Sequence, residues 1–272
     1  MLNDKGNASN PYLSGSCLKV ESVKSLASTE CECEPMKDIM ETNSNWQAKM
    51  LSYLQKIKSK NKDFLKGQNI IPIHRAKMVN WVEEIVTKCD LSSDTYFMSI
   101  QLMDRYYKYC SLNGIVPETN DIQIIGVCCL FIANKCNDYK NLTSSFIEKN
   151  IVRGKYTEVM ILNKEETIFK SLNGFLGYPF ERTFIGLYFE LLKSKIPSAN
   201  ECFTLCEFQS LKNLRSYKLA QDDVELLALG TIYICCNKNE NVLVSLTAYN
   251  QYDAQKIINI AKDIEKENEE IK

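Results

Sequence analysis

From Trp46 onward, apolar residues recur at intervals of three and four, which is the spacing of one face of an α-helix. Strict alternation of apolar and polar residues, the pattern of a half-buried β-strand, is hard to find. The first apolar stripe consists of Trp46, Met50, Tyr53, Leu54 and Ile57. The pattern therefore predicts an all-α protein that begins with an amphipathic lead-in helix.

Five further helices are predicted in the first half of the chain. They cover about Arg75–Cys89, the stretch from the Ser92–Asp94 cap to Tyr109, the stretch from Asn120 or Asp121 to Cys136, Leu142–Asn150 and Tyr156–Leu172. The third of them is apolar on all sides, which is typical of a helix at the centre of a bundle. The glycines and proline that follow, up to Pro179, predict a helix stop and a domain boundary.

The second half of the chain repeats this plan. The apolar run that begins at Ile124 has a counterpart that begins at Leu226, and an acidic residue precedes each run. Helices are predicted around the second run near Arg182–Ser194, Asn200–Tyr217 and Tyr252–Glu267. We therefore expect two tandem five-helix units. The predicted boundaries are 1–43 for a disordered tail, 44–178 for the lead-in helix with the first unit, and 179–272 for the second unit.

The tail prediction depends on composition, because residues 1–43 are rich in Ser, Asn, Glu and Lys and show no sustained period. Over the whole chain, 45% of residues are apolar and 25% are charged, the balance of a soluble globular protein. The formal net charge of −1 supplies no positive field for nucleic acid, so we expect no nucleic-acid partner.

Cysteine is abundant, with 12 residues against a single histidine. Most of the cysteines lie inside apolar runs, which is typical of buried thiols in a reducing compartment. Cys31 and Cys33 form a close pair, but no histidine or second pair lies at ligand spacing, so we expect no metal and no cofactor. The chain also lacks a secretory signal and any apolar stretch near the roughly 20 residues of a membrane span. The sequence predicts an intracellular protein without a membrane partner.

Three charged residues fall on apolar helical stripes. Asp104 shares a face with Ile100 and is expected to pair inside the bundle with Arg75. Lys135 and Glu165 fall near predicted helix ends. For these two, the pattern leaves open whether they form internal salt bridges or point outward to meet another protein.

The same residues carry a resemblance to a known family. His74–Glu84 (HRAKMVNWVEE) resembles the opening of the cyclin box, usually Met-Arg-Ala-Ile-Leu-Val-Asp-Trp-Leu. Met103–Tyr106 resembles its Leu-Asp-Arg-Phe element, and Gln123–Lys135 resembles its Gln-Leu-Val-Gly to Ala-Ser-Lys helix. Leu162–Leu172 resembles the helix that carries the family's Glu, and the lead-in Met50–Leu54 is most similar to A/B-type mitotic cyclins. The resemblance implies two tandem cyclin folds.

The resemblance implies a regulatory subunit without catalytic residues that binds and activates a cyclin-dependent protein kinase. The residues that match the family's kinase-binding positions are Ile124, Lys135, Cys136, Glu165 and Gly174. Lys and Glu at these positions face the kinase, whereas Arg and Asp at the matching positions Arg75 and Asp104 form a buried pair. Cys136 and Gly174 replace family aromatic residues, and Tyr139 and Phe175 are candidates to supply that contact.

Family members also dock Arg-x-Leu segments of substrates or inhibitors on the first helix of the box. The matching groove positions are His74, Lys77, Met78, Trp81, Glu84, Ile122 and Gln123. Lys77 replaces an apolar residue, which removes apolar area and adds a like charge near the docked Arg. The sequence therefore leaves open whether such segments dock here or Trp81 only packs in the core.

Other functions are weighed against this one. An enzyme is disfavoured, since no nucleophile–base constellation or phosphate-cradling loop is present. A DNA-binding cyclin-fold factor would need a basic groove and a zinc ribbon, and the sequence shows neither. A degenerate cyclin scaffold and a transcription-associated cyclin stay open. The expected localisation is nuclear and cytoplasmic.

Overall fold

The structure is a computed structural model, and it describes residues 46–58, 62–196 and 198–270. All regular secondary structure in these ranges is helical, so the all-α prediction is confirmed. The predicted disordered tail at residues 1–43 lies outside the described residues, as do Cys31 and Cys33.

The described part of the chain forms eleven α-helices. They are α1 Trp46–Ile57, α2 Pro72–Cys89, α3 Ser93–Leu112, α4 Ile122–Asn137, α5 Ser144–Phe146, α6 Glu158–Ser171, α7 Glu181–Leu192, α8 Ala199–Asn213, α9 Val224–Cys235, α10 Glu240–Thr247 and α11 Ala254–Glu270. A π-helical turn, Ile147–Ile151, continues α5, and short 3-10 turns precede α4 and α9. We call α2–α6 the first group and α7–α11 the second group.

Helix ends follow the local sequence in most places. The Ser92 side chain accepts a hydrogen bond from the backbone N–H of Thr95 at the start of α3, as the predicted cap requires. Helix α2 begins at Pro72, three residues before the predicted start, since proline is favoured in the first turn. Helix α8 ends at Asn213 instead of Tyr217, and α10 supplies a fifth helix of the second unit that the pattern did not locate.

The first group is built around α4, the predicted central helix. Every residue of α4 from Ile124 to Asn134 is buried, and α4 packs against α2, α3 and α6. Gly126 allows α2 to approach closely, because a Cβ at this position would lie 2.5 Å from the sulfur of Met78. The apolar run on all sides of α4 is therefore explained by helices covering it on several sides.

The second group is built in the same way around α9. This helix packs against α7, α8 and α11, and its buried run includes every residue from Leu227 to Tyr233. Gly230 provides the close approach here, because an added Cβ would lie 2.6 Å from Cγ2 of Ile260 on α11. The two groups therefore share one plan: a central apolar helix that contacts a neighbour through a glycine.

The lead-in helix α1 packs on the second group, although it precedes the first in sequence. Leu51 and Leu54 are buried in the core formed by α7–α11, and α1 contacts α7 directly. The Lys58 ammonium follows α1 and lies 2.8 Å from Asp223 and 2.9 Å from Glu225 at the start of α9. Apolar packing and a half-enclosed ion-pair cluster together fix the lead-in helix to the second group.

Charged contacts also join the two groups. Arg182 at the start of α7 contacts Asp94 on α3 at 2.6 Å and Glu207 on α8 at 2.7 Å. Arg215 after α8 contacts Glu83 on α2 at 2.7 Å. These contacts pack the two groups against each other. The domain boundary between residues 178 and 179 stays a prediction.

Candidate functional site

Lys135 and Glu165 meet at the surface of the first group. The Nζ atom of Lys135, in the last turn of α4, lies 2.6 Å from Oε1 of Glu165 on α6. The Lys135 side chain is 41% exposed and that of Glu165 is 17% exposed. Lys135 Nζ also lies 3.6 Å from the ring centroid of Phe131, one turn earlier. The two residues therefore pair with each other at a partly exposed position, and their contact with another protein stays a prediction.

Two apolar side chains flank this pair on α6 without being buried. Leu162 is 42% exposed and Phe169 is 43% exposed, whereas Ile161 and Ile168, one position earlier in each case, are fully buried. Leu162, Glu165 and Phe169 lie three and four residues apart, which places them on one side of the helix. Helix α6 therefore carries one apolar stripe that faces the core and a second that faces solvent.

We call the surface formed by Lys135, Cys136, Leu162, Glu165 and Phe169 the α4–α6 face. An ion pair beside exposed apolar and aromatic side chains is typical of a protein-binding surface. Leu162 and Phe169 are not among the site residues predicted from the sequence. The sequence does show a second apolar stripe beside Glu165. Periodicity alone does not tell that this stripe faces solvent.

Gly174 lies against this face. Its φ is +66°, in the left-handed region, and it follows the end of α6, where such a residue commonly stops a helix. A Cβ at Gly174 would lie 3.1 Å from Cζ of Phe169. The Phe169 ring therefore lies over the glycine, at the position where the resemblance implies an aromatic residue.

The other predicted kinase-binding residues differ in position. Cys136 is exposed next to Lys135, and partial burial raises the pKa of its thiol. Ile124 is 3% exposed and belongs to the core. It lies about 16 Å from Lys135 along α4, at about 1.5 Å per residue, so the structure does not bring it to the α4–α6 face. Tyr139 and Phe175 are both exposed near the chain segments that flank this face.

The segment that carries Phe175 is held by α3. Arg105 donates a hydrogen bond from Nη2 to the carbonyl of Phe175 at 2.7 Å, and its guanidinium lies 4.2 Å from the Tyr178 ring centroid. Gln101 donates to the carbonyl of Pro179 at 2.9 Å. Arg105 therefore positions the chain after Gly174, a role that the sequence analysis did not assign to it.

The predicted pair Arg75 and Asp104 lies in the interior. Arg75 donates from Nε and Nη2 to the two carboxylate oxygens of Asp104 at 2.8 and 2.7 Å. Its Nη1 atom donates to the carbonyl of Leu214, at 2.8 Å, in the second group. Burial raises the pKa of Asp104, and the charge and hydrogen bonds of Arg75 oppose that rise. The pair braces α2 against α3 and also reaches across to the second group.

The positions predicted for Arg-x-Leu docking are only partly accessible. Met78 is buried against α4, while Trp81, Ile122 and Gln123 are half-buried and Glu84 is exposed. His74 is half-buried and Lys77 is exposed.

The polar members of this set have partners of their own. Glu84 pairs with Lys88 at 3.2 Å, and Gln123 accepts a hydrogen bond from Lys155 at 2.9 Å. Lys155 thus adds a second positive charge besides Lys77 near a groove expected to hold an Arg.

The described residues also bear on metal binding and on membrane insertion. In the ranges that the structure covers, no group of three or more His, Cys, Asp or Glu residues is placed to hold a metal ion. None of the helices described here combines the length and the apolar character needed to cross a bilayer.

Comparison with known proteins agrees with the motifs. Residues 47–177 match the model of the family described as Cyclin, N-terminal domain. This range contains the buried Arg75–Asp104 pair and the whole α4–α6 face.

Curated relatives are A- and B-type cyclins. The chain is 28% identical over 170 residues to "Putative cyclin-B3-1" of Arabidopsis thaliana, covering 61% of this chain and 39% of the relative. It is 25% identical to "Cyclin-A3-3" of the same plant, covering 72% and 61% respectively. It is 26% identical to "G2/mitotic-specific cyclin-B1" of Oryzias latipes, covering 81% and 54%. The aligned region thus spans less than two thirds of each relative.

Solved structures with the same fold include a viral cyclin from herpesvirus saimiri. That comparison has a TM-score of 0.67 at 16% identity and covers 80% of this chain and 95% of the viral chain. A chain of the CAK complex from Chaetomium thermophilum, bound to ATP-gamma-S, has a TM-score of 0.52 at 13% identity, with 83% and 70% covered. The family match, the relatives and the fold together support a cyclin-box protein, with the box at residues 47–177. Its two five-helix groups are tandem cyclin folds.

Proposed function

We propose that this chain is a regulatory subunit that binds and activates a cyclin-dependent serine/threonine protein kinase through the α4–α6 face. The observation that carries the proposal is the Lys135–Glu165 pair, which is accessible and flanked by the exposed side chains of Leu162 and Phe169. An exposed ion pair contributes only about 0–1 kcal/mol to folding, so stability alone does not account for this arrangement.

The mechanism needs no chemical group from this chain. Lys135 can donate to, and Glu165 can accept from, backbone groups near the mobile helix of the kinase, while Leu162 and Phe169 bury apolar area. Binding that favours the active arrangement of that helix shifts the kinase toward it, which places the kinase's own Glu beside its ATP-positioning Lys. The subunit thus acts through differential binding energy and is not itself a catalyst.

The relatives support a role in cell-cycle control, since the Oryzias latipes protein is named a G2/mitotic-specific cyclin. With that role we propose a nuclear and cytoplasmic localisation. A transcription-associated kinase and a scaffold that binds without activating are the alternatives, and the partner's identity and its activity separate them.

The test is purification of the tagged chain from its own cells, followed by mass spectrometry and a histone kinase assay. Lys135→Ala combined with Glu165→Ala is expected to weaken kinase binding by about 100-fold or more, because two charge-assisted hydrogen bonds are lost. Helix content measured by circular dichroism should not change. The matched control is Lys238→Ala with Glu265→Ala, which removes another exposed pair, at 2.8 Å, between the turn after α9 and helix α11.

Wild-type kinase affinity in the Lys135/Glu165 double variant would refute the interface. Binding without any gain of kinase activity would favour the scaffold, and a kinase that phosphorylates RNA polymerase instead of histone would favour the transcriptional alternative.

We also propose docking of Arg-x-Leu segments at Met78, Trp81, Glu84, Ile122 and Gln123, supported by the half-buried indole of Trp81 beside polar groups. Lys77 and Lys155 make this docking weak, so an Arg-x-Leu peptide should bind more tightly to Lys77→Ile than to the wild type. Equal affinity of both proteins would refute the electrostatic explanation.

A further inference from the structure

Four cysteines lie close together where α8 packs against α9 in the second group. Cys202 and Cys206 are about one turn apart on α8, and Cys235 and Cys236 are consecutive residues at the end of α9. The two helices contact each other directly, and all four side chains belong to or pack against the same apolar core. The fold therefore brings together thiols from two separate segments of the chain.

The four thiols form two hydrogen-bonded pairs, Cys206 with Cys235 and Cys202 with Cys236. The Sγ atom of Cys206 also donates to the carbonyl oxygen of Thr231 at 4.0 Å. In an α-helix that carbonyl accepts the backbone N–H of the residue four positions later, which is Cys235. Two separate contacts thus place Cys206 at the turn of α9 that carries Cys235. Since a disulfide needs an S–S distance of about 2 Å, only a small shift separates this pair from a bond.

The members of the Cys206–Cys235 pair differ in exposure and in acidity. The side chain of Cys206 is fully buried, whereas Cys235 is half-buried at the last residue of α9. The hydrogen bond from Cys206 lowers the pKa of Cys235, and burial only partly opposes this effect. The same hydrogen bond, together with burial, raises the pKa of Cys206. Because the thiolate is the reactive form of cysteine, Cys235 is the nucleophile of the pair.

The second pair lacks this asymmetry. Cys202 is 8% exposed and Cys236 is 5% exposed, so neither is as accessible as Cys235. Burial, followed by the charge and hydrogen bond of Cys202, raises the pKa of Cys236, which keeps its thiol protonated. Of the two pairs, only Cys206–Cys235 combines an accessible thiolate with a neighbouring thiol that can close a bond.

We propose that Cys206 and Cys235 form an oxidant-sensitive dithiol, in which Cys235 reacts with hydrogen peroxide and Cys206 then closes a reversible disulfide between α8 and α9. In the first step the Cys235 thiolate attacks one peroxide oxygen and the O–O bond breaks. The products are a sulfenic acid at Cys235 and hydroxide, which takes up the proton that the Cys235 thiol released.

In the second step the sulfur of Cys206 attacks the sulfur of Cys235. The S–O bond breaks, and water leaves with the proton of the Cys206 thiol. Two thiols are thereby oxidised by two electrons, and one peroxide is reduced to two water molecules. Once Cys235 is a sulfenic acid, Cys206 no longer donates to a thiolate, so the first cause of its raised pKa is removed. Thiol reductants of a reducing compartment return the pair to its starting state, so the disulfide is transient.

The experiment is peptide mass spectrometry of the full chain after treatment with hydrogen peroxide and alkylation of the remaining thiols. Trypsin produces two peptides with two of the four cysteines each, residues 196–212 and 219–238. We expect these peptides to be joined by a bond that dithiothreitol cleaves. In urea the bond should form about tenfold more slowly or less, because the unfolded chain no longer holds the two thiols together.

Serine variants assign the bond, because each peptide carries two cysteines. Cys202→Ser combined with Cys236→Ser should retain the cross-link. Cys206→Ser should lose it and leave a sulfenic acid at Cys235, which dimedone traps. The matched control is Cys136→Ser, which removes an exposed thiol on α4 whose pKa is raised by burial, and it should form the cross-link as the wild type does. Circular dichroism checks that each variant keeps its helices.

The proposal is overturned if the folded wild type forms no cross-link, if the cross-link forms equally fast in urea, or if it persists in Cys206→Ser. Loss of the cross-link in a folded Cys202/Cys236 double variant would assign the bond to the second pair and overturn it too. If that variant does not fold, fragment ions that separate Cys235 from Cys236 in the wild-type peptide decide instead. Faster dimedone labelling of Cys136 than of Cys235 in Cys206→Ser would contradict the assigned nucleophile.

Discussion

Asp104 and Glu181 are buried to almost the same degree, at 4% and 3% exposure, and both line one cleft between the two groups. Asp104 in the first group meets the guanidinium of Arg75 through two hydrogen bonds. Glu181 in the second group meets only neutral donors, Asn213 and Thr231. The difference shows that burial alone does not set the cost of a carboxyl group, because its partners decide which form is stable.

Buried carboxyl groups therefore contribute differently to the stability of the two groups of helices. The first holds a charge pair, whose members each depend on the other, whereas the second holds a carboxyl group that burial disfavours in its charged form. Removing one partner should harm the first group, and removing the charge should help the second. The predictions below test this contrast from the largest expected effect to the smallest.

Asp104→Ala should lower the free energy of unfolding by about 3–5 kcal/mol, because it leaves the Arg75 charge buried without its partner. Urea denaturation followed by circular dichroism measures this change. The double variant Arg75→Met with Asp104→Leu should cost much less, since no charge is then left in the interior. A melting temperature equal to wild type in Asp104→Ala would contradict a buried charge pair.

Glu181→Gln should remove a pH dependence of the free energy of unfolding that comes from the raised pKa of Glu181. The native pKa of about 7 lies above the unfolded value of 4.5, so the native state holds its proton more tightly. Stability from this group is complete below about pH 4.5 and is lost as the pH rises through about 7, by roughly 3 kcal/mol in total. Above pH 7 the free energy of unfolding of the variant should therefore exceed that of the wild type by up to roughly 3 kcal/mol.

The measurement is urea unfolding of wild type, Glu181→Gln and the exposed control Glu118→Gln between pH 4.5 and pH 8. Only the difference between wild type and Glu181→Gln should grow as the pH rises. A constant difference over this range would show that Glu181 has the same pKa in the folded and unfolded chain.

The smallest expected difference in stability is between alanine substitutions at Gly230 and Gly126, where two helices approach closely. Gly230→Ala should destabilise by about 1–3 kcal/mol, because the new methyl meets the stiff β-branched side chain of Ile260 and the backbone of Ala261. Gly126→Ala should cost about 1 kcal/mol or less, since flexible Met78 can move and alanine favours the helix. Thermal unfolding of both variants measures the order, and a larger cost at Gly126 would contradict it.

Much of the first group could be predicted because its signals are local. Ser92 caps α3 by accepting a hydrogen bond from the backbone N–H of Thr95, three positions later. The apolar run of α4 is by itself sufficient to predict a central helix. The partnership of Arg75 with Asp104 was also predictable, since a charge on an apolar stripe needs a counter-charge. The burial of Glu181 could not be predicted in this way, because its partners Asn213 and Thr231 are neutral and do not appear in a pattern of charges.

The sequence by itself determined most of the helices, the two apolar central runs and the cyclin-box motifs, since each depends on residues within a few turns of one another. Only the tertiary structure decided that α1 packs on the second group and that Leu162 and Phe169 stay exposed beside Glu165. Periodicity shows which faces of a helix are apolar. Which of those faces is covered depends on contacts between residues far apart in the chain.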